Sequence, residues 1–173
     1  IGQLGDASLI GAVAVGALIF TFLFWAFGFL RMGTTGLTAQ AYGANDASEI
    51  RATLGRALLI AGVAGIGLLL LQLPLNWIAF QLVQGSDAVE QEAQTYFAIR
   101  MWSAPFTLAN YAVLGWLVGM QQTRFAMVLQ IFLNGVNASL DALFVLGFGW
   151  GVAGIAAGTV IAEIATAFVG LGI

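Results

Sequence analysis

An acid closes a run of amides in one of the most apolar parts of this sequence. The stretch is LQIFLNGVNASLDALF, residues 129–144. Gln130, Asn134, Asn137 and Asp141 stand in it at i, i+4, i+7 and i+11. At about 100° per residue, their directions fall within an arc of roughly 60° on a helix. Ser139 points to the opposite side, and Leu133, Val136, Leu140 and Phe144 flank the stripe. A carboxylate beside amide oxygens is oxygen-donor chemistry, suited to H+ or Na+ alike. A carboxylate withdrawn from water favours its protonated form, so such a group can load and release a proton.

Two readings of the stripe remain open. In the structural one, the amides bond neighbouring helices and Asp141 caps a helix or pairs with an arginine. In the functional one, Asp141 is a cation or proton site facing a wet interior. Interhelical hydrogen bonds in membranes average about 0.6 kcal/mol. An Asp at a bilayer centre costs about 2.5–3.5 kcal/mol. The comparison favours function.

Three more residues belong to the question. Thr159 and Glu163 share a helix face at i, i+4 in the last apolar segment. Counted from the GFGWG turn, Asp141 is about nine residues back and Thr159 about nine forward, so they lie at similar depth. Thr159 can therefore touch whatever Asp141 binds, while Glu163 lies a turn deeper. Glu163 reads equally as a site residue or as a polar contact between helices. Arg31 reads as a cation snorkelling to the inner interface, or as a partner for Glu163.

The elements that must position these groups are membrane helices. The chain has 173 residues, 61% of them hydrophobic and 8% charged, where soluble domains carry about a quarter charged residues. An all-α integral membrane bundle is the expected class. A span needs about 20 largely apolar residues. Five stretches qualify: 8–30, 57–85, 101–123, 125–146 and 151–173. They predict helical segments over about 8–40, 52–84, 94–120, 124–147 and 151–173, forming one transmembrane domain over 1–173. Runs this long exclude barrel strands, which alternate over roughly ten residues.

All five cations are Arg, and there is no His or Cys. That removes imidazole and thiolate metal sites and disulfides. A net charge of −3 gives no reason to expect nucleic acid. Arg51, Arg56 and Arg124 lie at the first and third loops, on one side of a five-helix zigzag; Asp87, Glu90 and Glu92 lie at the second. The positive-inside rule then puts the residue 1 end outside and the residue 173 end inside. Arg31 agrees, and Arg100 is a mild exception. The sequence opens at Ile1 with no signal-peptide pattern, so part of a longer chain is expected.

Pro74 and Pro105 should bend their helices; static bends are favoured over hinges. Gly154 and Gly158 form a GxxxG spacing, which predicts close docking of the last segment, with the fourth as the expected partner. Phe20, Phe22, Phe24, Trp25, Phe27 and Phe29 read mostly as packed or lipid-facing bulk, some of which could line a cavity.

Several motifs resemble one family. FLFWAFGFLRMGTTGLTAQAYG resembles the second helix of multidrug and toxic compound extrusion (MATE) transporters of the DinF-like branch. IRMWSAPFTLANYAVLGWLVGMQQTR resembles the fourth helix and its loop, and NASLDALFVLGFGWGVAGIAAGTVIAE the fifth and sixth. The resemblance implies helices two to six of the first of two six-helix lobes in the cytoplasmic (inner) membrane of a prokaryote. It implies export of small amphiphilic or cationic drug-like molecules against H+ or Na+ entry, with no cofactor besides the coupling ion. It also implies a cation site joining Asn137, Asp141 and Thr159 to an Asp on a preceding helix that has no counterpart here. Asp141 and Asn137 would be the Na+ ligands if Na+ is the coupling ion. Asn134, Gln130, Glu163 and Arg31 are supporting candidates. The first helix and second lobe would be this chain's partners.

Two other functions are alternatives for an acid-bearing membrane helix. A flippase for lipid-linked oligosaccharides, from the related superfamily, favours a cavity with several arginines for diphosphate; the few here lie mostly at loops. A passive ion channel could also use an acid-lined helix. Catalysis is not expected: the usual nucleophile–base pair is missing, and Glu163 lies too deep to form a dyad with Asp141.

Overall fold

The computed structural model describes residues 7–82 and 86–173. Their regular structure is helical, with no strand among the described residues. The helices are α1 (Ala7–Trp25), α2 (Gly28–Gly43), α3 (Ala47–Leu70), α4 (Gln72–Leu82), α5 (Asp87–Arg100), α6 (Ala104–Gly119), α7 (Thr123–Ala142) and α8 (Gly151–Leu171). A single 3-10 turn, Met101–Ser103, joins α5 to α6, and a π-helical stretch, Leu143–Gly147, extends α7.

Turn chemistry explains most of the stops. After α2, Asn45 takes a left-handed φ of 55°. Asp46 then caps α3, accepting from the backbone N–H of Ser48 at 3.0 Å and of Glu49 at 2.9 Å. Gly149 and Gly151, at φ 68° and 55°, reverse the chain between α7 and α8. Pro74 is the third residue of α4 and Pro105 the second of α6. In a first turn the missing proline N–H has no intrahelical partner to lose. Each break therefore falls just ahead of its proline.

The expected count of five spans meets a more broken backbone. Among the described residues, three helices are long and apolar enough to cross a membrane: Ala47–Leu70, Thr123–Gly147 and Gly151–Leu171. A fourth is available if α1 and α2, bent by 41°, act as one. The expected 94–120 span is divided into α5 and α6, of 14 and 16 residues, each short of the roughly 20 a crossing needs. The expected 52–84 span divides at Leu71, where α3 alone has the length. The bend at Ala26–Phe27 has no proline; its N–H groups turn to shorter-range acceptors, Phe27 to Phe24 and Leu30 to Phe27.

α6 packs along α2 and α3, α7 along α8, and α5 against α1 and α8. Phe97, Met101, Leu108, Leu117 and Leu129 are fully buried between them. The outer surface is apolar instead of charged: Leu59, Val63, Ile66 and Leu70 form an exposed stripe on α3. In water such a stripe would demand a partner; in a bilayer lipid can cover it.

Small residues set the closest approaches. Gly154 and Gly158 do meet α7: a Cβ on Gly154 would stand 2.9 Å from the Cβ of Phe144. A second GxxxG pair, Gly115 and Gly119, brings α6 against α2, so that a Cβ on Gly115 would stand 2.5 Å from the carbonyl oxygen of Arg31. This contact fixes the backbone from which Arg31 projects.

Candidate functional site

Asp141 lies in the last turn of α7, just before the helix widens into π geometry. π turns in α-helices often accompany functional sites. The wider turn is held by Phe148 N–H bonding the carbonyl of Leu143 at 3.1 Å. The rings of Phe144, Phe148 and Trp150 stack over it, with Phe144 and Trp150 centroids 5.0 Å apart. Opposite Asp141, α8 presents Gly158, whose backbone lies against the carboxylate.

Three of the expected residues meet here. Asn137 Nδ2 donates to Asp141 Oδ1 at 3.3 Å and to Thr159 Oγ1 at 3.1 Å. The Thr159 hydroxyl donates to the carbonyl of Ile155 at 2.9 Å, so its oxygen faces the cluster as an acceptor. Asp141, Asn137 and Thr159 are all half-buried. Among the described residues no arginine lies within ion-pair distance of Asp141. A carboxylate, a hydroxyl oxygen and an amide thus converge without a fixed countercharge. With the amide NH2 turned inward, the cluster suits an empty or protonated acid. With the amide oxygen turned inward, it offers three oxygens to a hard cation.

Glu163 lies in a different cluster. It is buried, and its carboxylate is 3.7 Å from the guanidinium of Arg100. Asn110 Nδ2 donates to Glu163 Oε2 at 2.6 Å and to the Glu163 carbonyl at 3.1 Å. Arg100 also donates to Ser103 Oγ and lies over the rings of Phe20 and Phe24, 5.4 and 5.9 Å from their centroids. Such contacts satisfy a charge withdrawn from water. The expectation that Arg31 could be the partner of Glu163 is therefore corrected. α5 carries Arg100 directly to α8, whereas α2 is held against α6 and leaves Arg31 exposed. The pairing also explains why Arg100 is an exception to the arginine rule.

This second cluster walls a cavity of about 680 Å³. Arg31, Gln130, Glu163, Tyr111 and Trp25 are among its lining residues, and Asp141 is not. Of the aromatic run, Phe20 and Phe24 are buried at this wall, while Phe22 and Phe29 are exposed. Gln130 thus reaches the cavity from the same α7 stripe whose other end holds Asp141. Asn134 joins neither cluster; it is exposed, and its amide bonds the carbonyl of Gln130 at 2.9 Å.

Arg100, Ser103, Thr107 and Asn110 do not stand out as a group in the sequence. Their spacing of i, i+3, i+7 and i+10 is a helical stripe like that on α7. Their mixed residue types hid it, and the 3-10 turn inside it is not visible in composition.

Comparison with known proteins adds an independent line. The MatE family model matches residues 1–143. The DNA damage-inducible protein F of Escherichia coli (strain K12) is 46% identical over 99% of this chain and 37% of its own length. The multidrug export protein MepA of Staphylococcus aureus is 22% identical over 96% of this chain and 37% of its own length. A crystal structure of MATE in complex with MaL6 superposes with TM-score 0.87 at 24% identity, covering 98% of this chain and 38% of that one. At that identity the superposition speaks for the fold. The chain spans little more than a third of the length of the relatives it matches.

Proposed function

The chain belongs to the MatE family, and on that premise we propose that it forms part of a secondary-active exporter of drug-like amphiphiles and organic cations, driven by entry of H+ or Na+. The observation that carries this reading is the Asp141–Asn137–Thr159 cluster, in which a half-buried acid on a membrane-length helix has no arginine partner among the described residues. A buried acid without a cation is expensive, and proton or Na+ loading relieves that expense. MepA's name as a multidrug export protein supports the substrate class.

In this reading the chain is one transmembrane domain over residues 1–173. It stands for helices two to six of the first lobe of a twelve-helix protein in a prokaryotic cytoplasmic membrane, with residue 1 outside and residue 173 inside. Ion binding at Asp141 alters the fit between α7 and α8. The Gln130 end of the same stripe communicates that change to the cavity. Coupling follows because the two conformations differ in affinity for ion and substrate.

The test uses the full-length protein that carries these residues, reconstituted in liposomes. Asp141→Asn is expected to abolish ion-coupled efflux with insertion intact. Undiminished coupled efflux in that variant rejects the site. Saturable exchange that follows a pH or Na+ gradient identifies a transporter. A large uncoupled current identifies a channel, and movement of a lipid-linked oligosaccharide without an ion gradient identifies a flippase.

A further inference from the structure

The cavity lined by Arg31 and Glu163 has an uneven charge balance. Among the described residues, three charged side chains line it: Arg31, Arg100 and Glu163. Glu163, its one acid, is already taken up by Arg100 at 3.7 Å and by the Asn110 amide at 2.6 Å. Arg100 in turn occupies the faces of Phe20 and Phe24, the surfaces on which an organic cation would otherwise stack. Arg31 is exposed and has no ion-pair partner among the described residues. The unbalanced charge of this wall is therefore positive, and it stands beside Trp25, Tyr111, Leu114 and Leu133.

We propose that this cavity takes an amphiphile with an anionic group, a carboxylate or sulfonate, which pairs with Arg31 while its apolar body lies against Trp25 and Tyr111. The proposal rests on the exporter reading and narrows its substrate class at this wall. A guanidinium offers a carboxylate or sulfonate parallel donors in a fixed fork. Among the described residues an organic cation finds no free carboxylate on this wall, because opening the Glu163–Arg100 pair to reach one strands a guanidinium largely withdrawn from water. The Arg31 backbone is fixed by the Gly115 contact, so the charge is presented from a rigid element.

The test is equilibrium binding to the full-length protein in nanodiscs, with no ion gradient. It thus stays informative if coupled transport itself fails. The probes are 1-pyrenebutyrate and (1-pyrenylmethyl)trimethylammonium, which share a ring system and differ in charge. The anion is expected to bind saturably and about tenfold more tightly than the cation. Arg31→Gln should weaken the anion by about the same factor and leave the cation unchanged. Arg31→Lys, which keeps the charge, should retain most of the anion's affinity. Preference for the cation, no saturable binding of either probe, or undiminished anion affinity in Arg31→Gln would each overturn the proposal.

Discussion

Gly158 stands directly across from Asp141, so close that a Cβ at position 158 would lie 2.5 Å from the carboxylate oxygen Oδ1 and 3.3 Å from the Asp141 backbone nitrogen. α8 thus presses bare backbone against the acid of α7. The same approach brings Thr159 within 3.1 Å of Asn137. The small-residue spacing does more here than pack two helices: it sets the dimensions of the candidate ion site.

Gly158→Ala is expected to push α8 off α7, at a cost of about 1–3 kcal/mol from overpacking, and to reduce ion-coupled efflux more than it reduces membrane insertion. Gly135→Ala, on an α7 position with nothing within 4 Å of an added Cβ, serves as the neutral comparison. Thermal melting in detergent and liposome flux measure the two effects. Equal behaviour of the two variants would remove the spacing argument.

Asn137→Ala and Thr159→Ala should weaken coupling less than Asp141→Asn does. Each removes a neutral ligand or a hydrogen bond worth about 1 kcal/mol, whereas the acid carries the charge. The measurement is the H+ or Na+ concentration giving half-maximal efflux. Both variants should shift it upward by several-fold while keeping gradient-dependent transport. A complete loss of coupling in Thr159→Ala with Asp141→Asn still active would reverse the assigned roles.

Arg100 and Glu163 should behave as a unit. Breaking a buried pair from one side costs about 3–5 kcal/mol, because the remaining charge is left without a partner. Arg100→Gln or Glu163→Gln alone should therefore lower the melting temperature more than the double variant does. Double-mutant analysis of thermal melts gives the coupling. Additive effects would mean that the 3.7 Å contact contributes little.

Asp46→Ala removes the cap of α3, which holds two backbone N–H groups near 3 Å. The expected loss is about 0.5–2 kcal/mol. Faster amide exchange at Ser48 and Glu49 is the local signature, and unchanged protection there would argue against the cap.

Part of the candidate site was legible because helical periodicity turns spacing into direction. The interval from Asn137 to Asp141 put both on one face, and counting outward from GFGWG put Thr159 level with them; the hydrogen bonds at 3.3 and 3.1 Å agree with that arithmetic, the second once α8 docks on α7. The partner of Glu163 was not legible. Depth pointed to Arg31, but depth carries no information about which helices are neighbours. The break between α5 and α6 was equally hidden, since Pro105 announces a bend without saying that a 3-10 turn will divide the segment.

Composition and periodicity alone determined that this chain forms apolar helices with a polar stripe on α7, because hydropathy and the rise and turn of a helix are properties of a single segment. Tertiary structure alone decided that Arg100, not Arg31, meets Glu163, and that Gln130 reaches a cavity that Asp141 does not line. Those outcomes depend on which helix backbones approach most closely. That is fixed by complementary small and large residues on different segments, Gly115 against Arg31 and Gly158 against Asp141, and no one segment contains both halves of such a contact.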